Sequence, residues 1–284
     1  MPARQPLAPP ALRAAVLAGS ELFTGVDVVP RTGSTNADLR VAARAGAPAG
    51  SVLVAEEQTA GRGRLDRSWH SEPGASLTFS VLLRPAGVPP AVRGWLPLLA
   101  GVAVATALPA VCGVAVSLKW PNDVLAGAGR GAAGGREDSA ADRGSTGKLA
   151  GILAEQAGDA VVLGIGLNVS ATRDELPSDQ ATSLWLAGAA DPDRHDLLVG
   201  VLRELERWYL RWIQGPPPGD PDTSGLRAAY LRACSTIGRD VRVELPGGGR
   251  LAGLASDVDG LGRLLVSAAD GTHAVSAGDV VHVR

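Results

Sequence analysis

Glu57-Gln58-Thr59-Ala60-Gly61-Arg62-Gly63-Arg64, running on to Trp69, follows directly on the apolar run Val52 to Ala55. A short apolar run of this kind reads as a strand, so the arginines stand on a loop at a strand's end. Arginine is a planar, permanent cation that forks onto carboxylates and phosphates. Glycine lets the backbone come close to a ligand. A strand that ends in a cationic, glycine-punctuated loop reads as an anion clamp.

Outward from this loop, apolar runs alternate with helical patterns. The pattern predicts an α+β fold, a mixed sheet flanked by helices. Strands are expected over 51–57, 77–83, 149–156 and 160–167, the last two as a hairpin across Ala157-Gly158-Asp159. Ser34 or Thr35 suits the N-cap of a helix running to about Arg44, with Asn36 and Asp38 in its first turn. Between Asp196 and Gln214, Leu198, Val201, Leu202, Leu205, Trp208, Tyr209 and Trp212 recur at spacings of three and four, which marks a helix with a core face. After Gly238 the pattern turns to short strands over 241–245, 251–255, 264–268, 273–276 and 280–283, a small β-barrel. The domain reading is a flexible, Pro-rich tail over 1–25, a main domain over 26–225 ending in a stiff linker at 214–224, and the barrel over 235–284. Residues 126–146 hold no large apolar side chain and read as a disordered insertion.

The 284 residues are 45% hydrophobic, enough for a real core. A net charge of −2 argues against a general nucleic-acid or membrane-surface binder. From Gly94 to Leu118 there is no charged residue, but Pro97 and Pro109 interrupt the run. It reads as a buried helix over about 91–108 and a strand over 114–118, not a membrane span. Cys112 and Cys234 read as buried apolar residues, and the four histidines show no metal-ligand spacing. No secretory leader is legible, so the expected location is cytoplasmic.

Four further segments join the arginine loop: Gly33-Ser34-Thr35-Asn36, Lys119-Trp120-Pro121-Asn122-Asp123, Gly147-Lys148-Leu149-Ala150-Gly151-Ile152-Leu153-Ala154-Glu155 and Gly164-Ile165-Gly166-Leu167-Asn168-Val169. In this order and spacing they resemble the biotin–protein ligases, from about Arg31 to the C-terminus. The resemblance implies a class II synthetase-like catalytic domain with an SH3-like C-terminal barrel. It implies ATP and biotin as substrates with Mg²⁺ on the phosphates, and biotinyl-5′-adenylate as the intermediate. The acceptor would be a lysine of a biotin carboxyl carrier domain, as in acyl-CoA carboxylase or pyruvate carboxylase. Only about 30 residues precede Gly33, too few for the DNA-binding domain some members carry, so no DNA binding is expected. A monomer or weak homodimer is expected. Lipoate or octanoate chemistry on the same fold is the neighbouring alternative, and non-catalytic RNA binding a distant one.

Carried over residue by residue, Lys148, Arg64 and Lys119 are the candidate catalytic residues. Lys119 would help with the phosphates or orient the acceptor lysine; as plain structure it is a surface lysine ending a strand. Ser34, Thr35, Asn36, Gln58, Arg62, Gly63, Arg64, Lys148, Gly151, Gly164 and Gly166 would meet biotin. Capping explains Ser34 and Thr35 equally, and strand bulges the glycines. Arg64, Trp69, Lys119, Asn122, Asp123, Lys148 and Asn168 would meet the nucleotide, with Asp123 a candidate metal ligand and a tight turn the plain reading of Asn122 and Asp123. Trp120 reads as core. The loop departs from the family pattern at Asp66, where a glycine is usual.

Overall fold

The computed structural model describes residues 4–65, 67–70, 72–127, 147–245, 248–276 and 278–283. Most of the expected insertion, 128–146, and Asp66 lie outside the described residues. Of that insertion, Ala126 is described and closes a strand.

The main sheet has seven strands in the order β1-β2-β5-β9-β8-β7-β6. They are β1 (Gly25–Val29), β2 (Ser51–Ala55), β5 (Ser76–Leu83), β6 (Val116–Lys119), β7 (Asp123–Ala126), β8 (Gly147–Ala157) and β9 (Ala160–Asn168). Only β1 and β2 run parallel; the remaining pairs are antiparallel, so the sheet is mixed. Strands β3 (Gly61–Arg62) and β4 (Ser68–Trp69) pair as a small hairpin within the arginine loop.

Side chains alternate across a strand, and β5 divides accordingly. Leu77, Phe79, Val81 and Leu83 enter the main core, which α1 (Pro9–Leu17), α3 (Trp95–Cys112), α4 (Arg194–Gln214) and α5 (Leu226–Ala233) supply. Leu82 joins Leu39 and Ala43 of α2 (Thr35–Arg44) in a smaller cluster on the other face. One helix cannot cover that face, and the uncovered part is the floor of a cleft.

The uncharged run is long and apolar enough to cross a membrane, yet α3 is packed inside the core against α4, α5 and the sheet. It starts later than expected because Pro90–Gly94 forms a separate 3-10 turn. Where a flexible tail over 1–25 was expected, the described residues 4–25 include a packed helix. Pro9 and Pro10 sit in the first turn of α1, where a missing N–H costs nothing. Leu12 and Val16, one helical turn apart, are buried. Beyond α1, Glu206 of α4 accepts from the amides of Glu21 at 2.6 Å and Leu22 at 2.8 Å. The stretch 214–224 is not a spacer either. It folds back so that Trp212 Nε1 donates to Gly219 O at 2.7 Å.

The C-terminal strands are β10 (Asp240–Glu244), β11 (Arg250–Val258), β12 (Leu264–Ala268), β13 (Gly271–Val275) and β14 (Asp279–His282). They form the expected SH3-like sheet, antiparallel throughout, in the order β13-β12-β11-β10-β14. The β11–β12 turn is gripped by the main domain at alternate carbonyls. Val258 O accepts from Arg227 Nε at 2.6 Å, and Gly260 O and Gly262 O accept from the indoles of Trp95 and Trp120, each at 3.1 Å. Trp120 is core, as expected, and also holds the barrel.

Candidate functional site

Strand register builds the cleft. One transverse row carries Ala55, Thr78, Gly166, Gly151, Asp123 and Lys119 across six strands. The neighbouring row carries Ser80, Gly164 and Leu153. Paired residues share a face, so two glycines lie side by side mid-sheet with a carboxylate and an ammonium at the row's end. The floor there is bare backbone, open to a flat ligand.

Lys148 reaches this face through a β-bulge. Val124 pairs with Ala150, but Leu125 pairs with Lys148, leaving Leu149 as the extra residue. The slip reverses the alternation, so Lys148 points into the cleft and Leu149 into the core. Lys148 Nζ lies 2.6 Å from Asp123 Oδ1. Arg64 Nη1 donates to Asn122 Oδ1 at 3.3 Å, and Asn122 Nδ2 donates to Ile152 O at 2.9 Å, fixing the turn on β8. Burial lowers the Lys119 pKa, and Lys148 and Arg67 lower it further against the opposing pull of Asp123. Burial also lowers Arg64, with Arg67 adding and Asp123 opposing. Among the described residues, this end of the cleft therefore holds more cations than acids and suits an anion.

The other end is neutral. Ser34 caps α2. Gln58 Oε1 accepts from Thr35 N at 2.8 Å and Thr35 Oγ1 at 3.0 Å. Ser80 Oγ lies 2.7 Å from Thr35 Oγ1 and 2.6 Å from Asn36 Oδ1. Asn36 Nδ2 donates to Glu155 Oε2 at 2.9 Å, and Arg40 pairs with the other oxygen of Glu155 at 2.8 Å. A side chain on Gly164 would lie 2.2 Å from Asn36 Oδ1, so this glycine makes room for Asn36. Trp69 lies over the other two floor glycines. A Cβ would come within 2.5 Å of its ring at Gly166 and 3.3 Å at Gly151. Its Nε1 is buried with no hydrogen-bond partner.

The cleft measures ≈ 290 Å³. Residues 28–170 match the Biotin/lipoate A/B protein ligase family, and 236–283 match the Biotin protein ligase C terminal domain. The biotin–[acetyl-CoA-carboxylase] ligase of Mycobacterium tuberculosis is 45% identical over 99% of this chain and 97% of its own. The chain belongs to the biotin protein ligase family. The bifunctional ligase/repressor BirA of Bacillus spizizenii is 31% identical over 89% of this chain and 72% of its own. The biotin protein ligase of Aquifex aeolicus, solved with biotin and ATP, superposes with a TM-score of 0.70 at 28% identity, covering 92% of this chain and all of its own.

Every site residue expected from the biotin protein ligase motifs lines this one cleft except Asn168. That side chain is buried and holds structure: it accepts from Ser76 Oγ at 3.4 Å and donates to Thr182 O at 3.0 Å. Asn36 lines the cleft, but its amide is engaged by Ser80 and Glu155. Asp123 is engaged by Lys148 and is the single acid among the described lining residues. That donor set does not fit a metal caged by protein, though it fits one carried on nucleotide phosphates. Sequence reading missed Arg67, Thr78, Gln180, Val280 and Val281. Thr78 follows once register is known, whereas Gln180 and the barrel valines come from segments with no motif. His282, beside those valines, is pushed down to about 4 by burial, with Lys119 and Arg239 adding.

Proposed function

We infer that this protein condenses biotin with ATP to biotinyl-5′-adenylate and pyrophosphate, then transfers the biotinyl group to a lysine of a carrier protein. The observation that carries the reading is the split character of one cleft, neutral at α2 and cationic at β6–β8. A neutral ureido ring needs donors and acceptors, which Ser34, Thr35 and Gln58 offer. The acid's carboxylate then lies along the glycine floor toward Arg64, Lys119 and Lys148.

The electrostatic obstacle lies in bringing a carboxylate to an α-phosphate. Two unit charges ~4 Å apart repel by about 4 kcal/mol at an effective dielectric near 20. Arg64 and Lys148 offset this where charge develops, without reorganising at the moment of reaction. Lys119 completes the cluster from β6. Magnesium enters with ATP, and no step here depends on a protein-held ion. The acceptor amine attacks the acyl carbon of the anhydride, the C–O bond to phosphate breaks, and AMP leaves. The β3–β4 hairpin covers the floor with Trp69 and keeps water from the anhydride.

The fitting partner is the biotin carboxyl carrier domain of a carboxylase. Incubating the protein with ATP, Mg²⁺ and apo-carrier should add one biotinyl mass to the carrier lysine. Equal labelling from lipoate would replace this reading with the neighbouring acyl chemistry.

A further inference from the structure

Glu56 is the last residue before the arginine loop, and both its carboxylate oxygens are held. Arg194 Nη1 meets Oε2 at 2.6 Å, and the Leu7 amide donates to Oε1 at 2.7 Å. Arg194 is 7% exposed, and its Nη2 donates to Gln5 O at 2.6 Å. At the loop's far root, Gly74 N donates to Glu56 O at 3.4 Å. A Cβ on Gly74 would lie 3.2 Å from Arg4 Cβ, so the chain of Arg4 closes over that root. Arg4 in turn grips Glu175 through both terminal nitrogens, at 2.9 and 2.5 Å, and Ser170 O at 3.3 Å. Glu175 accepts from Thr172 N at 2.8 Å and caps a turn. The loop beyond that turn ends on Lys148: Lys148 N donates to Gln180 O at 2.7 Å, and Thr182 N to Lys148 O at 2.9 Å. Arg4, Gln5, Leu7, Glu56, Glu175 and Arg194 all lie outside the cleft lining. A buried arginine is costly without matched partners, and here its partners tie three separate chain segments together.

We propose that Arg4–Leu7 is a strap joining the root of the arginine loop to the loop that backs Lys148, and that Arg4, Glu56 and Arg194 are positioning residues for holding the acyl-adenylate. The proposal rests on the adenylate-forming reading above. A covering loop with pinned roots has fewer open states to visit, so its ligand leaves more slowly.

The test uses the full chain with Arg4→Glu, Glu175→Arg and the double swap. Amide hydrogen exchange over 57–73 and 172–182 is read without ligand, so it decides the strap even where no adenylate forms. Release of biotinyl-adenylate is read by chase, and thermal midpoints are taken alongside. Each single variant is expected to speed exchange in both loops and to shorten adenylate retention roughly threefold to thirtyfold, the span of coupling through such networks. The double swap is expected to restore both in part, because it re-forms the ion pair but not the bonds to Thr172 N and Ser170 O. Unchanged exchange and retention in the single variants would overturn the proposal. A lowered midpoint with unchanged retention would also overturn it, since the strap would then be structural only.

Discussion

Lys148 owes its place in the cleft to its neighbour, because Leu149 is the bulged residue that turns it over. No motif in the sequence announces that slip. Lysine 148 was legible from its segment, but its pairing with Asp123 was not, since that depends on register between strands some twenty residues apart. The glycines divide on the same grounds. Gly151 and Gly166 lie under Trp69, whereas Gly164 faces Asn36. Gly164→Ala would drive a methyl into the Asn36–Ser80 network. We expect a loss of about 1–3 kcal/mol, the usual cost of overpacking, read as a lower urea midpoint, with little loss for Gly25→Ala, where an added Cβ meets nothing within 4 Å. Lys119 carries a pH signature. Its lowered pKa means that its charge is lost, as pH rises, before the ordinary 10.5 of lysine. The alkaline limb of kcat/KM for ATP should therefore begin below that value and move upward in Lys119→Arg. An unmoved limb would assign it to another group.

At the scale of elements, most strands and the long helices were legible because apolar side chains recur at two or at three to four residues, whereas β1 and β7 went unread. The first helix was missed because Pro9 and Pro10 read as breakers, although proline is at home in a helix's first turn. The stretch 214–224 was misjudged because Pro and Gly signal a turn without saying what it packs on. The arginine loop is the element whose behaviour matters most. Gly61 and Arg62 pair with Ser68 and Trp69, a two-residue ladder too short to be stable alone. Trypsin should cut between Arg62 and Arg67 in the free protein, and biotin with ATP should suppress that cutting. Equal cutting in both states would remove the hairpin from any covering role.

Across the whole molecule, the barrel is part of the site. Trp120 belongs to the Lys119–Asp123 motif, yet its indole holds Gly262 of the barrel, and the barrel returns Val280 and Val281 to the cleft wall. The change to short strands after Gly238 was legible, but their contact with the rest of the fold was unread, because hydrogen bonds to backbone carbonyls leave no trace in composition. What unites the scales is one cleft with a neutral end and a cationic end, the second organised around Lys148. The most direct measurement is biotin-dependent exchange of pyrophosphate into ATP, in wild type and in Lys148→Ala. The account predicts exchange that requires biotin, is not supported by lipoate, and falls on the order of 10²–10³-fold in the variant, as for loss of one fixed transition-state donor. Exchange at the wild-type rate in a folded Lys148→Ala protein would contradict it.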